Sequence, residues 1–261
     1  MNQRLFQFLS FFNYWLDAVG AHSLHSPFFF HLYNRHIKPS KHSEGIKFIE
    51  SLRTDLLDSE SEITVEDLGA GSSHFMSSTR SVNDIARVSL SPVKYSMLYR
   101  SLILYNKSQH ILELGTSLGI NTLYLSYANN GRTYTFEGSS QIADVAQKQF
   151  EKAGADNISV IPGNIDHTLP RFLDSIENVD FVLMDANHRY QPTMTYFDLL
   201  MAKAHSRTII VVDDIHYSAE MERAWRELIQ REGVYGSVDL FRCGLVFFDP
   251  SLNRQHFVLQ F

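Results

Sequence analysis

Five short apolar runs from residue 111 onward each lead into residues that can bind a ligand or ionise. The first, Ile111-Leu112-Glu113-Leu114, continues into Gly115-Thr116-Ser117-Leu118-Gly119. The second, Thr133-Tyr134-Thr135-Phe136, gives Glu137-Gly138, and the third, Ile158-Ser159-Val160-Ile161, leads to Gly163-Asn164-Ile165-Asp166. The fourth, Phe181-Val182-Leu183-Met184, is followed by Asp185-Ala186-Asn187-His188, and the fifth, Thr208-Ile209-Ile210-Val211-Val212, by Asp213-Asp214-Ile215-His216. In an open parallel sheet a ligand sits outside the carboxyl ends of the strands, which is where these residues fall. The glycines of the first turn allow backbone to pass close under a ligand, and a carboxylate at the end of the next strand, here Glu137, can accept both hydroxyls of a ribose. A dinucleotide turn needs G-x-G-x-x-G with its middle glycine under a pyrophosphate; position 117 is Ser, and that reading falls away. A glycine turn of this kind also serves close helix-strand packing alone.

Asp185, Asp213 and Asp214 stand at neighbouring strand ends. Like charges so placed favour a divalent cation, for which oxygen ligands suit Mg²⁺ or Ca²⁺, or else one carboxyl keeps its proton. The same residues also fit a plainer arrangement, with Asp213 capping the next helix and Asp185 accepting backbone N–H groups. His188 is the expected general base, since the unperturbed pKa of imidazole, about 6.5, lies near neutral pH, and His216 is the second candidate. A hydrogen-bonded place in a pocket wall would account for His188 equally well.

The elements that must carry these residues are legible from periodicity. Apolar runs alternating with amphipathic helices predict βαβ units. Between the runs, residues 141–153 keep Ile142, Val145, Ala146 and Phe150 on one helical stripe that Gly154 ends. Residues 219–231 follow a Ser218 N-cap with Met221, Trp225, Leu228 and Ile229 inward and Gly233 beyond. Three last runs, near 238–241, 244–248 and 256–259, have no helix between them and are expected to pair antiparallel at the sheet edge. The fold class expected is α/β: a Rossmann-like, mostly parallel seven-stranded sheet with antiparallel C-terminal strands and a helical N-terminal segment. Residues 1–60 are expected to form a helical cap and 61–261 the Rossmann-like domain. In the cap, Leu5, Leu9, Phe12 and Leu16 recur at helical spacing, residues 24–30 read as an aromatic turn between helices, and five histidines carry no metal-ligand spacing. A second acidic, glycine-rich stretch at 65–72 lacks a following βα repeat and reads as a structural loop.

The chain has 261 residues, 44% hydrophobic and 20% charged, which is enough for one sizeable core. A net charge of -6 disfavours nucleic acid as a partner, because phosphate neutralisation needs clustered Lys and Arg. Cys243 is the single cysteine and cannot form an intrachain disulfide, which suits a reducing, cytoplasmic setting. No stretch is long and apolar enough to span a membrane, and the aromatic first helix could serve a homodimer.

The acidic residue followed by G-x-x-x-G resembles the first motif of class I S-adenosylmethionine-dependent methyltransferases. Over roughly residues 90–248, including Ser91-Pro92, the chain resembles the catechol and caffeoyl-CoA O-methyltransferases. The whole chain, with residues 24–30 and 244–248, also resembles a further bacterial group of methyltransferases, which adds to the class and says nothing of the substrate. The resemblance implies S-adenosyl-L-methionine on Glu113, Gly115, Thr116, Ser117, Gly119, Glu137, Gly138, Asn164, Ile165 and Asp185. It also implies a metal-binding Asp at the fourth strand end with a catalytic Lys three residues on, and an Asp-Asn pair at the fifth. Here those positions hold Asp185, His188 and Asp213-Asp214, so Lys is replaced by His and Asn by Asp. Methyl transfer from a sulfonium needs an in-line nucleophile and removal of its proton, tasks for His188, Asp185 and His216. The expected function is O-methylation of a small hydroxylated acceptor, assisted by Mg²⁺ or Ca²⁺ on Asp185, Asp213 and Asp214. A metal-independent enzyme acting on nitrogen or another centre, or a non-catalytic protein retaining the fold, stand as alternatives.

Overall fold

The computed structural model describes residues 3–65, 79–128 and 130–261. The chain begins with helices α1 (Gln3–Asp17), α2 (Pro27–Leu32) and α3 (Lys38–Ser40), the last two joined by a π-helical turn, Tyr33–Ile37. Helix α4 (Lys47–Leu57) precedes a small antiparallel pair, β1 (Glu62–Thr64) and β2 (Thr79–Ser81). Helices α5 (Val82–Ser89) and α6 (Val93–Asn106) lead to β3 (His110–Leu114), α7 (Ile120–Ser126), β4 (Arg132–Glu137), α8 (Ser140–Ala153), β5 (Ile158–Pro162) and α9 (Ile165–Asp174). The remainder is β6 (Val179–Met184), α10 (Tyr190–Met201), β7 (Ala204–Val212), α11 (Ala219–Leu228), β8 (Gly236–Asp239), β9 (Gly244–Phe247) and β10 (Gln255–Val258). All five expected parallel strands are present. The glycine-rich stretch at 65–72 lies, apart from Val65, outside the described residues.

Two compact units divide the chain. One comprises residues 40–175. In it β3, β4 and β5 run parallel, with Leu114 opposite Phe136 and Phe136 opposite Ile161, so their carboxyl ends are level. Ile111 and Leu112 of β3, successive residues that point to opposite faces, are both fully buried, as a strand covered on both faces requires. Its helices pack Ile49, Leu52, Ile85, Leu123, Tyr124 and Phe150 into one cluster, each such burial contributing about 1.5–3 kcal/mol.

The other unit comprises residues 1–39 and 176–261. Here β6 and β7 are parallel, β9 is antiparallel to both β7 and β8, and β10 is parallel to β8. The last pairing corrects the expectation of wholly antiparallel C-terminal strands. Two successive reversals, β8 to β9 and β9 to β10, restore the direction of β8, and β10 docks on its free side. Strands β3 to β10 number eight, one more than expected. On α11 the Ser218 hydroxyl accepts the Met221 N–H, and Trp225 lies over β9 where a Cβ on Gly244 would come within 2.4 Å of its ring.

The amino-terminal segment is helical, as expected, with one departure. The aromatic block at 28–30 is helix, not turn, because Pro27 at the first helical position pre-sets φ and starts α2. Phe29 is fully buried against Phe247 and Phe257. Helix α1 is held by its polar side: Gln7, Ser10 and Tyr14, on one helical face, bond to the Tyr217 carbonyl, Glu222 and the Leu259 carbonyl. Its apolar stripe, Leu5, Leu9, Phe12 and Leu16, is exposed. Among the described residues no helix is long and apolar enough to cross a membrane.

Candidate active site

The turn after β3 is folded onto the end of β4. The N–H groups of Gly115 and Thr116 both donate to the Phe136 carbonyl at 3.0 Å. Gly115 and Gly119 have φ of 101° and 82°, and Ser117 between them is also left-handed at 48°. For a non-glycine residue that conformation costs about 1–3 kcal/mol and persists only where the surroundings impose it. The imposing contact is Glu137: its Oε2 accepts the Ser117 N–H and its Oε1 the Ser139 N–H, each at 3.0 Å. The Ser117 hydroxyl donates to Ser89 Oγ. At Gly119 a Cβ would lie 2.7 Å from the Phe150 ring, so glycine is required by packing as well as by φ.

Two acidic residues that look alike in sequence have different places. Glu137 closes β4 and is partly exposed, with an N–H donated to each oxygen. Glu113 lies one residue inside β3, is 1% exposed, and accepts the hydroxyls of Thr122 and Thr135. Burial, reinforced by the charge of Glu137 and opposed by the two hydroxyls, pushes its carboxyl up to about 7. Glu113 therefore ties the turn from beneath. Asn164 caps α9, its Oδ1 taking the Asp166 N–H, and Gly163 donates to the Glu137 carbonyl, which brings Asn164 and Ile165 to the same strand end as Glu137 and Gly138. Sequence reading missed Ser139, beside Glu137 and Gly138, whose buried hydroxyl has no hydrogen-bond partner among the described residues. Such a group calls for a polar ligand.

In the other unit, Met184 lies opposite Val212, so the loops after β6 and β7 emerge together. Asn187 and Asp214 are left-handed at 63° and 54°. His188 lies between two carboxylates, its Nε2 3.4 Å from Asp185 Oδ1 and its Nδ1 4.0 Å from Asp214 Oδ2. Burial and the charge of Asp213 raise the Asp214 pKa, against the lowering effect of His188 and Arg242. His216 is drawn elsewhere. Its Nε2 is 2.8 Å from Asp239 and its Nδ1 3.6 Å from Glu222, and its ring stacks on Phe241 at 5.5 Å. Burial opposes its charge, but the two carboxylates outweigh burial and raise its pKa, which suits a structural ion pair better than a base.

The acid cluster contains a cation that sequence reading missed. Arg242 places Nη2 at 3.0 Å and Nε at 3.2 Å from Asp213 Oδ2, and Nε at 3.9 Å from Asp214 Oδ1. Burial works against its charge, and Asp213, Asp214 and Asp185 together hold its pKa above the ordinary value. The metal expected on Asp185, Asp213 and Asp214 does not fit this arrangement. Asp213 is 1% exposed and committed to the guanidinium, and a divalent ion about 4 Å from that guanidinium would meet roughly 8 kcal/mol of repulsion at an effective dielectric near 20. Among the described residues no group of three or more His, Cys, Asp or Glu is disposed to hold a metal ion. The available signal was charge balance: Arg242 is the one Lys or Arg between Arg231 and Arg254.

The fold, with its parallel strands, terminal antiparallel strands and glycine turn, is that of the class I methyltransferases. Residues 112–215 match the family model Methyltransf_24, described as a methyltransferase domain, and the expected kinship with this class is borne out. The catechol O-methyltransferase of Niastella koreensis is 30% identical over 113 residues, which is 42% of this chain; the chain spans about half the length of that curated relative. Two solved structures share the fold. The SAH-bound methyltransferase PaMTH1 of Podospora anserina has a TM-score of 0.58 at 16% identity, over 80% of this chain and 91% of its own. The O-methyltransferase TomG of Streptomyces achromogenes, in complex with SAM, has a TM-score of 0.54 at 19% identity, over 61% of this chain and 82% of its own.

Proposed function

We propose that the chain is an S-adenosylmethionine-dependent O-methyltransferase acting on a small hydroxylated acceptor. The observation that carries this is the carboxylate of Glu137, fixed by the N–H groups of Ser117 and Ser139 at the end of the turn of residues 115–119, with the Ser139 hydroxyl, buried and without a partner among the described residues, beside it. Relatives named as catechol O-methyltransferase and as a SAM-bound O-methyltransferase support the same reading. Glu137 would hold the ribose hydroxyls, Gly115, Thr116, Ser117 and Gly119 the close backbone approach, and Gly138, Ser139, Asn164 and Ile165 the remainder of the adenosyl group. Glu113 would act by holding the turn rather than by touching the cofactor. S-adenosylmethionine, when bound, supplies the methyl electrophile.

His188 is the proposed base that takes the acceptor proton, with Asp185 and Asp214 on either side of the ring to stabilise the imidazolium that results. No metal is needed for this proton transfer, and Arg242 favours the version without one. Residues 1–60, the expected helical cap, are proposed to select the acceptor. The test is transfer of labelled methyl from S-adenosylmethionine to a panel of phenols and catechols. Wild type should turn over at least one, in EDTA as well as in Mg²⁺, and His188→Ala should lose about 10²–10⁴-fold in kcat with cofactor affinity unchanged. Normal turnover in His188→Ala would remove it as base, and absence of transfer to any oxygen acceptor would overturn the O-methyl reading.

A further inference from the structure

The carboxylates that end β6 and β7 come with a cation built into the chain. We infer that the Arg242 guanidinium is the resident counter-charge of Asp185, Asp213 and Asp214, standing where a divalent ion would otherwise sit, so that this cluster works without a metal. The placement follows from topology. Strand β9 begins at Gly244 opposite Val212, the last residue of β7, so the turn before β9 arrives at the carboxyl end of β7 with Arg242 in it.

Four hydrogen bonds hold the backbone of that turn. Leu240 N–H donates to the Cys243 carbonyl at 2.9 Å, Arg242 N–H to the Leu240 carbonyl at 2.9 Å, and Phe241 N–H to Asp239 Oδ1 at 2.7 Å. The Arg242 carbonyl accepts the Ile215 N–H at 3.1 Å, which joins the turn to the loop holding Asp213 and Asp214. Phe241 adopts φ 68°, a conformation disfavoured for an aromatic residue, and its ring is packed by His216 and Phe11. The guanidinium is thus delivered by a constrained backbone onto a buried carboxylate. A buried carboxylate must be paired, and Arg suits the task because its planar fork stays charged and grips two oxygens at once.

This inference goes beyond the methyl-transfer reading and is independent of it, because its test reads metal on the protein and involves neither cofactor nor turnover. The full chain is titrated with Mn²⁺, followed by electron paramagnetic resonance and calorimetry, as wild type, Arg242→Gln and Arg242→Lys. Wild type and Arg242→Lys should bind no stoichiometric Mn²⁺ in the low-millimolar range. Arg242→Gln, with its carboxylates stripped of their cation, should bind one Mn²⁺ about tenfold or more tightly than wild type. A folded Arg242→Gln that takes up no more Mn²⁺ than wild type would overturn the inference. Should that variant not fold, the wild-type protein decides alone. Unfolding midpoints equal in Mg²⁺, Ca²⁺ and EDTA uphold the inference. One bound Mn²⁺ per wild-type chain that Asp213→Asn removes overturns it.

Discussion

Replacing Glu113 by Gln should flatten the dependence of stability on pH. The side chain is 1% exposed beneath the turn of residues 115–119 and its carboxyl is pushed up to about 7 from an ordinary 4.5, chiefly by burial. The folded-state pKa is raised, so the contribution of this group is fully present below pH 4.5 and is lost as pH rises through about 7. In that window the unfolded chain gives up the proton while the folded one keeps it, at about 1.4 kcal/mol per pH unit, or roughly 3 kcal/mol in all. Gln keeps an oxygen to accept from Thr122 and Thr135 but cannot ionise. Any fixed loss from its amide is the same at every pH, and other titrating groups cancel in the difference between wild type and variant. Urea unfolding of both proteins at half-unit intervals from pH 4.5 to 8 measures this difference. Wild type should lose about 3 kcal/mol relative to Glu113→Gln across the range, and the affinity for S-adenosylhomocysteine should be unchanged. A constant difference, or a large loss of affinity, would mean that Glu113 faces the ligand.

Three further substitutions probe other parts of the account. Gly119→Ala should cost about 2–4 kcal/mol in urea unfolding, since its Cβ would meet Phe150 at 2.7 Å in a left-handed backbone; a neutral change would mean that the turn relaxes. Glu137→Ala should weaken S-adenosylhomocysteine binding by about 1.5–3 kcal/mol, measured by calorimetry, from loss of charge-assisted hydrogen bonds. His216→Asn should remove a stabilisation that is fully present below about pH 6.5 and lost as pH rises through the raised folded-state pKa of that ring. Unfolding curves at pH 6 and 8 test it, with the wild-type advantage larger at pH 6.

The strands that carry the site were readable because each is a short apolar run flanked by turn residues, a pattern local to a few positions. Glu137 was readable too, as a carboxylate that closes its strand. Glu113 was not distinguished from it, since one residue of register inside β3 turns a partly exposed carboxylate into a buried one. Arg242 escaped because no local spacing links it to Asp213, 29 residues earlier; the antiparallel return of β9 makes that contact. How α1 is attached was not legible for a related reason. Periodicity marks the apolar face of a helix, whereas this helix is attached through hydrogen bonds from Gln7, Ser10 and Tyr14.

The central claim is that the turn of residues 115–119 and Glu137 bind S-adenosylmethionine, and direct titration of the folded wild-type chain with S-adenosylmethionine and S-adenosylhomocysteine tests it. One site per chain is predicted, weakened in Glu137→Ala and indifferent to NAD. A folded chain that binds neither ligand, or that binds them equally well without the Glu137 carboxylate, would contradict it.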